Sequence, residues 1–139
     1  MTDYNDFNKK LIEEFRANGG KVGGMFAGAP MLLLTTTGAK SGKQHTVPLV
    51  HTTDGDRLVV IASKGGAPSH PHWYRNVVAN PNVSLERGTE KFQAKATVHP
   101  SGPERDRLYA AQASLMPNFA EYEKQTTRKI PVVTFERQR

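Results

Sequence analysis

Apolar positions change period several times along the chain, and each change marks an element. Phe7, Leu11, Ile12 and Phe15 recur at helical spacing, and Gly19-Gly20 stops the run, which predicts a helix over about 6–18. The glycines between Lys21 and Pro30 suit an irregular lead-in that passes close to other backbone. The pattern then turns to strands. Met31 to Thr37 is apolar and β-branched, Gln44 to Thr53 follows a turn over Gly38–Lys43, and Arg57 to Ser63 follows the hairpin turn Asp54-Gly55-Asp56. Pro48 cannot donate to a ladder and places the second strand at an edge or bulge. A loop over Lys64–Ser69 leads to a short helix from His70 to Ala79, with Pro71 in its first turn. Val83 to Arg87 and Glu90 to His99 form a second hairpin, and the alternation of Phe92, Ala94, Ala96 and Val98 gives it one wet face. Ser101-Gly102-Pro103-Glu104 reads as a capping box for a helix to about Met116. Asn118 to Thr127 predicts another helix, and Ile130 to Glu136 a last strand.

The order α-βββ-α-ββ-αα-β is α+β. Strands come as antiparallel hairpins, so the expected architecture is a six-stranded, mainly antiparallel barrel with peripheral helices. A doubly wound parallel sheet needs more helical crossovers than the chain has. The 139 residues suit a single domain, 1–139.

Composition narrows the chemistry. With no cysteine, disulfides, thiolate metal sites and cysteine nucleophiles are excluded. The net charge of +6 suits ordinary solubility, or an anionic ligand, nucleic acid or anionic membrane surface. Nucleic acid is not expected, because the aromatics are not interleaved with Lys and Arg along one strand face. The longest apolar run, Ala29 to Leu34, is far short of a membrane span, and the acidic N-terminus is unlike a signal peptide, so a cytoplasmic location is expected. Lys9, Lys10 and Arg16 leave room for weak peripheral membrane contact, offset by Glu13 and Glu14.

Several segments could carry chemistry. Gly38–Lys43 looks like a phosphate loop, but its glycines are one residue too close and Gln44 stands where a hydroxyl is needed. What survives is a tight turn that exposes backbone N–H groups beside Lys40, Ser41 and His45. Ile61-Ala62-Ser63-Lys64 ends a strand and is either a plain strand-to-helix loop or a backbone rim to which a planar heterocycle can hydrogen-bond, and Trp73 either packs in the core or walls the same pocket. Met116, Phe119 and Tyr122 share a helical face, which either packs on the sheet or covers a substrate. No metal site is expected, because His70 and His72 lie on different helix faces without further ligands nearby. No nucleophile or acid/base set can be picked out by spacing, so a cofactor is expected to carry any reaction.

Taken in order, Leu32–Gly38 with Lys40-Ser41-Gly42, Pro48-Leu49, Asp54-Gly55, Ala62–Gly66, Trp73-Tyr74-x-Asn76, Asn80-Pro81 and Thr127–Val133 resemble the deazaflavin-dependent nitroreductase and quinone reductase family across nearly the whole chain. The resemblance implies a split β-barrel and a hydride transfer from reduced coenzyme F420 to a quinone, unsaturated lactone or nitroaromatic. It implies that Ala39, Lys40 and Ser41, with His45, Thr46, Val47, Pro48, Leu49 and Val50, line the phosphate and oligoglutamate tail. Ile61, Ala62, Ser63 and Lys64 would meet the deazaflavin head, and His72, Trp73, Tyr74, Arg75 and Asn76 would close the groove. Met116, Phe119 and Tyr122 would cover the substrate, with Ser63 and Tyr122 as candidate catalytic hydrogen-bond donors. The chain departs from the family at Ala39 and His45, where arginine is frequent, and at Met116 and Phe119, where the nitroimidazole-reducing members carry tyrosines. The alternatives are flavin mononucleotide in the same barrel, or a non-catalytic F420 carrier. The oligomeric state is left open.

Overall fold

The computed structural model describes residues 4–22, 30–63 and 70–138. Its elements are α1 (Tyr4–Ala17), β1 (Met31–Thr37), β2 (Gln44–Val50), β3 (Thr52–Asp54), β4 (Arg57–Ile61), α2 (His72–Ala79), β5 (Asn82–Arg87), β6 (Glu90–His99), α3 (Pro103–Leu115), α4 (Asn118–Gln125) and β7 (Val132–Arg137). The strands form one antiparallel sheet in the order β2-β1-β5-β6-β7-β4-β3.

The sheet has seven strands where the sequence predicts six, because the expected strand from Gln44 to Thr53 breaks at His51. The His51 N–H donates to the Pro30 carbonyl at 2.9 Å, and its ring Nδ1 reaches the same oxygen at 2.9 Å. This takes His51 out of the ladder. β2 stays on β1, while β3 pairs with β4 at the other edge. With His51 alone between them, the two edges must curl together, which gives the split-barrel form.

Burial explains the apolar patterns. Leu32, Leu34, Leu58 and Val60 point inward with Val83, Leu85, Val133 and Phe135, where Trp73, Tyr74 and Val77 of α2 join them. On the outer face, Met31 and Leu33 pack against Leu11 and Phe15 of α1, and Val59 and Ile61 lie under Leu108, Tyr109 and Phe119. β1 and β4 are thus covered on both faces and read as continuous apolar runs. β6 is covered on one face only, so it alternates, with Lys91, Gln93 and Lys95 exposed.

The helix starts differ from expectation. α2 begins at His72, because Pro71 is extended (φ −67°, ψ 154°) and acts as the N-cap residue. The Ser101–Glu104 capping box does not form. Gly102 is the N-cap residue of α3, without a side-chain cap, and Glu104 instead accepts from Arg57 at 3.0 Å and Arg107 at 2.6 Å. α1 is fixed by a two-pronged Arg16–Glu86 pair at 3.0 and 2.8 Å. Past its end the backbone runs against the β5–β6 turn, where a Cβ on Gly20 (φ +94°) would meet Gly88 Cα at 2.6 Å.

Candidate functional site

The turn between β1 and β2 is closed by the Gly38 N–H donating to Lys43 O at 2.7 Å and the Gly42 N–H donating to Gly38 O at 3.1 Å. Ser41 Oγ accepts from the Lys43 N–H at 3.2 Å. A Cβ on Gly38 would fall 2.6 Å from Ser41 Oγ and 3.1 Å from His45 Nε2. Only a bare Cα lets the hydroxyl and imidazole converge there. Ala39, Lys40, Ser41, Lys43 and His45 are all exposed, so the turn is a cationic knuckle open to solvent. Beyond it, Thr46 Oγ1 bonds Thr35 Oγ1 at 2.8 Å, Val47 and Leu49 pack on the inner core, and Pro48 pairs with Leu33. Val50 turns to the outer face.

Asn76 joins this turn to α2. Its Oδ1 accepts from the Ala39 N–H at 3.0 Å, and its Nδ2 donates to Thr36 Oγ1 at 3.1 Å. On the same helix Trp73 and Tyr74 are buried and meet edge to face, with centroids 6.3 Å apart. Burial pushes the Tyr74 phenol above its usual range. His72 and Arg75 point to solvent. The structure thereby brings the predicted tail and groove segments together.

The third segment is the end of β4. Ile61, Ala62 and Ser63 are buried, and the Ala62 N–H donates to Pro131 O at 3.0 Å. Arg128 is a residue the sequence reading did not single out for the site. It donates to Ala62 O at 3.3 Å and to Ser63 O at 2.7 Å, and a second nitrogen meets His70 Nδ1 at 3.0 Å. Arginine can only donate, so His70 accepts on Nδ1 and is the neutral tautomer protonated on Nε2. Burial first, then the Arg128 and Arg75 charges, hold His70 below its usual range. The one available signal was a basic residue just before the last strand. Its meaning needed the Ile61–Val132 pairing, which no local pattern shows. Lys64 lies outside the described residues.

The aromatic set is divided. Met116 is the C-cap residue of α3, while Phe119 and Tyr122 sit on α4 with rings edge to face at 5.3 Å. Phe119 is buried with Ile61, and Met116 and Tyr122 pack around the same cluster. The Tyr122 hydroxyl accepts from Asn118 Nδ2 at 2.9 Å. Trp73 and Tyr74 belong with Ala62 to the inner cluster, so the two groups flank the end of β4 from opposite faces.

The site thus offers an exposed cationic turn, a rim of buried backbone and flanking aromatics. That donor set fits a ligand with an anionic tail and a flat, amide-edged head. The curled antiparallel sheet that carries it is a split barrel. The model of the F420H(2)-dependent quinone reductase family matches residues 8–137, and the chain belongs to that family. An F420H(2)-dependent quinone reductase of Mycobacterium tuberculosis is 40% identical over 126 residues, covering 88% of this chain and 85% of the relative. A solved F420-H2 dependent reductase, FDR-A, is 42% identical with a TM-score of 0.70, covering 77% of this chain and 94% of that one. A haem storage protein of Vibrio cholerae, 16% identical over 94% of this chain and 90% of its own at TM-score 0.61, shares the fold alone. Membership makes the chain an oxidoreductase that draws its hydride from reduced coenzyme F420, with quinones as the acceptor class. F420 therefore takes precedence over flavin mononucleotide, and a reductase over a carrier.

Proposed function

We propose that the chain reduces quinones with F420H2 held across the turn at residues 38–43, α2 and the end of β4. The observation that carries this is the Asn76 double hydrogen bond, which couples the cationic turn to the helix bearing Trp73. Lys40, Ser41 and His45 meet the anionic tail, with Ala39 and Thr46–Val50 forming the wall behind it. Ile61, Ala62 and Ser63 seat the head, and His72–Asn76 close the groove. Bound there, the reduced deazaflavin supplies a hydride, which with one proton converts a quinone to its quinol. The protein orients the acceptor and excludes water through Met116, Phe119 and Tyr122. The hydroxyls of Ser63 and Tyr122 donate to the oxygen on which negative charge grows. A second copy of the chain is compatible with this reading, since a solved relative 38% identical at TM-score 0.72 is described as a domain-swapped dimer. Membrane contact through α1 adds nothing to it, because Leu11 and Phe15 are already buried on β1. No helix among the described residues is long and apolar enough to cross a membrane.

The test is a fluorescence titration with F420, flavin mononucleotide in parallel, followed by turnover with a soluble quinone. Micromolar or tighter F420 binding without flavin preference is expected. Ser63→Ala and Tyr122→Phe are each expected to lower kcat by about tenfold or more. Wild-type rates in both variants would remove those two roles, and a clear flavin preference would overturn the cofactor assignment.

A further inference from the structure

We propose that Arg128 is a positioning residue for this reductase, fixing the direction in which the backbone leaving β4 faces the deazaflavin head. The inference rests on the placement of the head at residues 61–63 given above. In a regular strand, successive carbonyls point to opposite sides. Here the carbonyls of Ala62 and Ser63 converge on one guanidinium nitrogen, at 3.3 and 2.7 Å, immediately after β4 ends at Ile61. Across a planar trans peptide the N–H lies opposite the C=O. Drawing Ala62 O toward Arg128 therefore turns the Ser63 N–H to the side away from it. The guanidinium thus selects which face of this rim presents donors.

The geometry needs an arginine. One nitrogen spans the two carbonyls while another meets His70 Nδ1 at 3.0 Å, a fork that a lysine ammonium cannot reproduce from one point. The segment bearing Arg128 is itself held from behind. Arg105, only 3% exposed, donates to Ile130 O at 2.9 Å and pairs with Glu123 at 2.8 Å. The Ala62 N–H closes the circuit onto Pro131 O at 3.0 Å. The contacts described for Arg128 are to backbone and an imidazole, so the effect assigned to it on hydride transfer runs through the rim it shapes.

The experiment compares wild type with Arg128→Met and Arg128→Lys in two arms. In the free protein, NMR follows the Ala62 and Ser63 amides and the His70 titration. Both amides are expected to shift in Arg128→Met, and the His70 midpoint to rise as one neighbouring cation is removed while Arg75 stays. With F420H2 and a soluble quinone, kcat is expected to fall between about ten- and a hundredfold with little change in quinone KM. Arg128→Lys is expected to recover little, and added millimolar guanidinium to restore part of the rate in Arg128→Met. Unmoved amides and His70 titration would overturn the inference whatever the turnover shows. So would a wild-type kcat, or a loss of rate that follows the unfolded fraction and resists guanidinium. If wild type itself fails to bind F420, the functional reading fails, and the free-protein arm still decides whether Arg128 sets this backbone.

Discussion

Asn76 offers the sharpest separation of stability from binding, because its two hydrogen bonds end in different surroundings. Asn76→Ala removes both. The Thr36 hydroxyl is on a residue only 1% exposed and loses its partner where water is scarce, at about 1 kcal/mol or somewhat more. The Ala39 N–H is exposed and can turn to water, so that bond contributes a few tenths of a kcal/mol. The sum, about 1–2 kcal/mol, corresponds to about 3–8 °C in Tm for a chain of 139 residues. Asn76→Asp behaves differently. One carboxylate oxygen still accepts from Ala39, and the Thr36 hydroxyl can reverse and donate to the other, so the Tm loss is expected to be less than half as large. Its new negative charge, however, sits against the turn that is to hold an anionic tail. At about 8 Å through solvent, each tail charge loses about 0.5 kcal/mol, so a few charges weaken binding by about five- to thirtyfold. Added salt recovers part of that loss. Thermal melts and F420 titrations of both variants check this. A Tm for Asn76→Ala within about 1 °C of wild type would refute the energetic argument. Undiminished F420 affinity in Asn76→Asp would refute the placement of the tail.

Gly20→Ala is expected to cost more than about 2 kcal/mol, since it combines a positive φ of +94° with a Cβ 2.6 Å from Gly88 Cα. Gly55→Ala, at φ +61° with open space around it, is expected to cost only about 1 kcal/mol. Urea midpoints measure the difference, and equal losses would mean that the contact is unimportant. His51, His70 and His99 are all held below 6.5, in each case chiefly by burial. The unfolded chain then binds more protons than the fold between the lowered values and 6.5, so stability is full above that range and declines as pH falls through it. Asp54, held at about 2 by hydrogen bonds from Arg107 and then Arg57, keeps its contribution above 3.8 and loses it only as pH falls toward 2. Denaturation midpoints across this acid range should fall first on the histidine side, and a rise there would contradict the assignment.

The sequence made the sheet legible where local pattern and burial agree. Met31–Leu34 and Leu58–Ile61 read as continuous apolar runs because helices cover their outer faces, and the alternation of Phe92, Ala94 and Ala96 showed a single covered face. What stayed hidden depended on distant partners. His51 breaks a strand because the Pro30 carbonyl captures its N–H. Glu104 abandons its cap because Arg57 and Arg107 compete for it. Met116 leaves the expected helical face because α3 ends there and α4 starts anew after Pro117. Within the candidate site, the turn and the α2 residues were readable as segments, but their joining through Asn76 was not. Arg128 escaped notice because two of its partners are carbonyl oxygens, which carry no side-chain identity in a sequence, and another, His70, lies far away along the chain.

The position of β7 has a consequence for how the molecule comes into being. It enters the middle of the sheet, between β6 and β4, although it is made after both. Until it arrives, the β3–β4 hairpin has no ladder to the β1–β2–β5–β6 block, and two inner edges stand unpaired around apolar residues. A ribosome-bound chain therefore carries its barrel as two sticky halves until synthesis has passed Arg137. The pairing of Ile61 with Val132 spans a large sequence separation, which favours slow, late closure. Cells that make this protein quickly thus face a window in which neighbouring nascent chains can supply one another's missing strand.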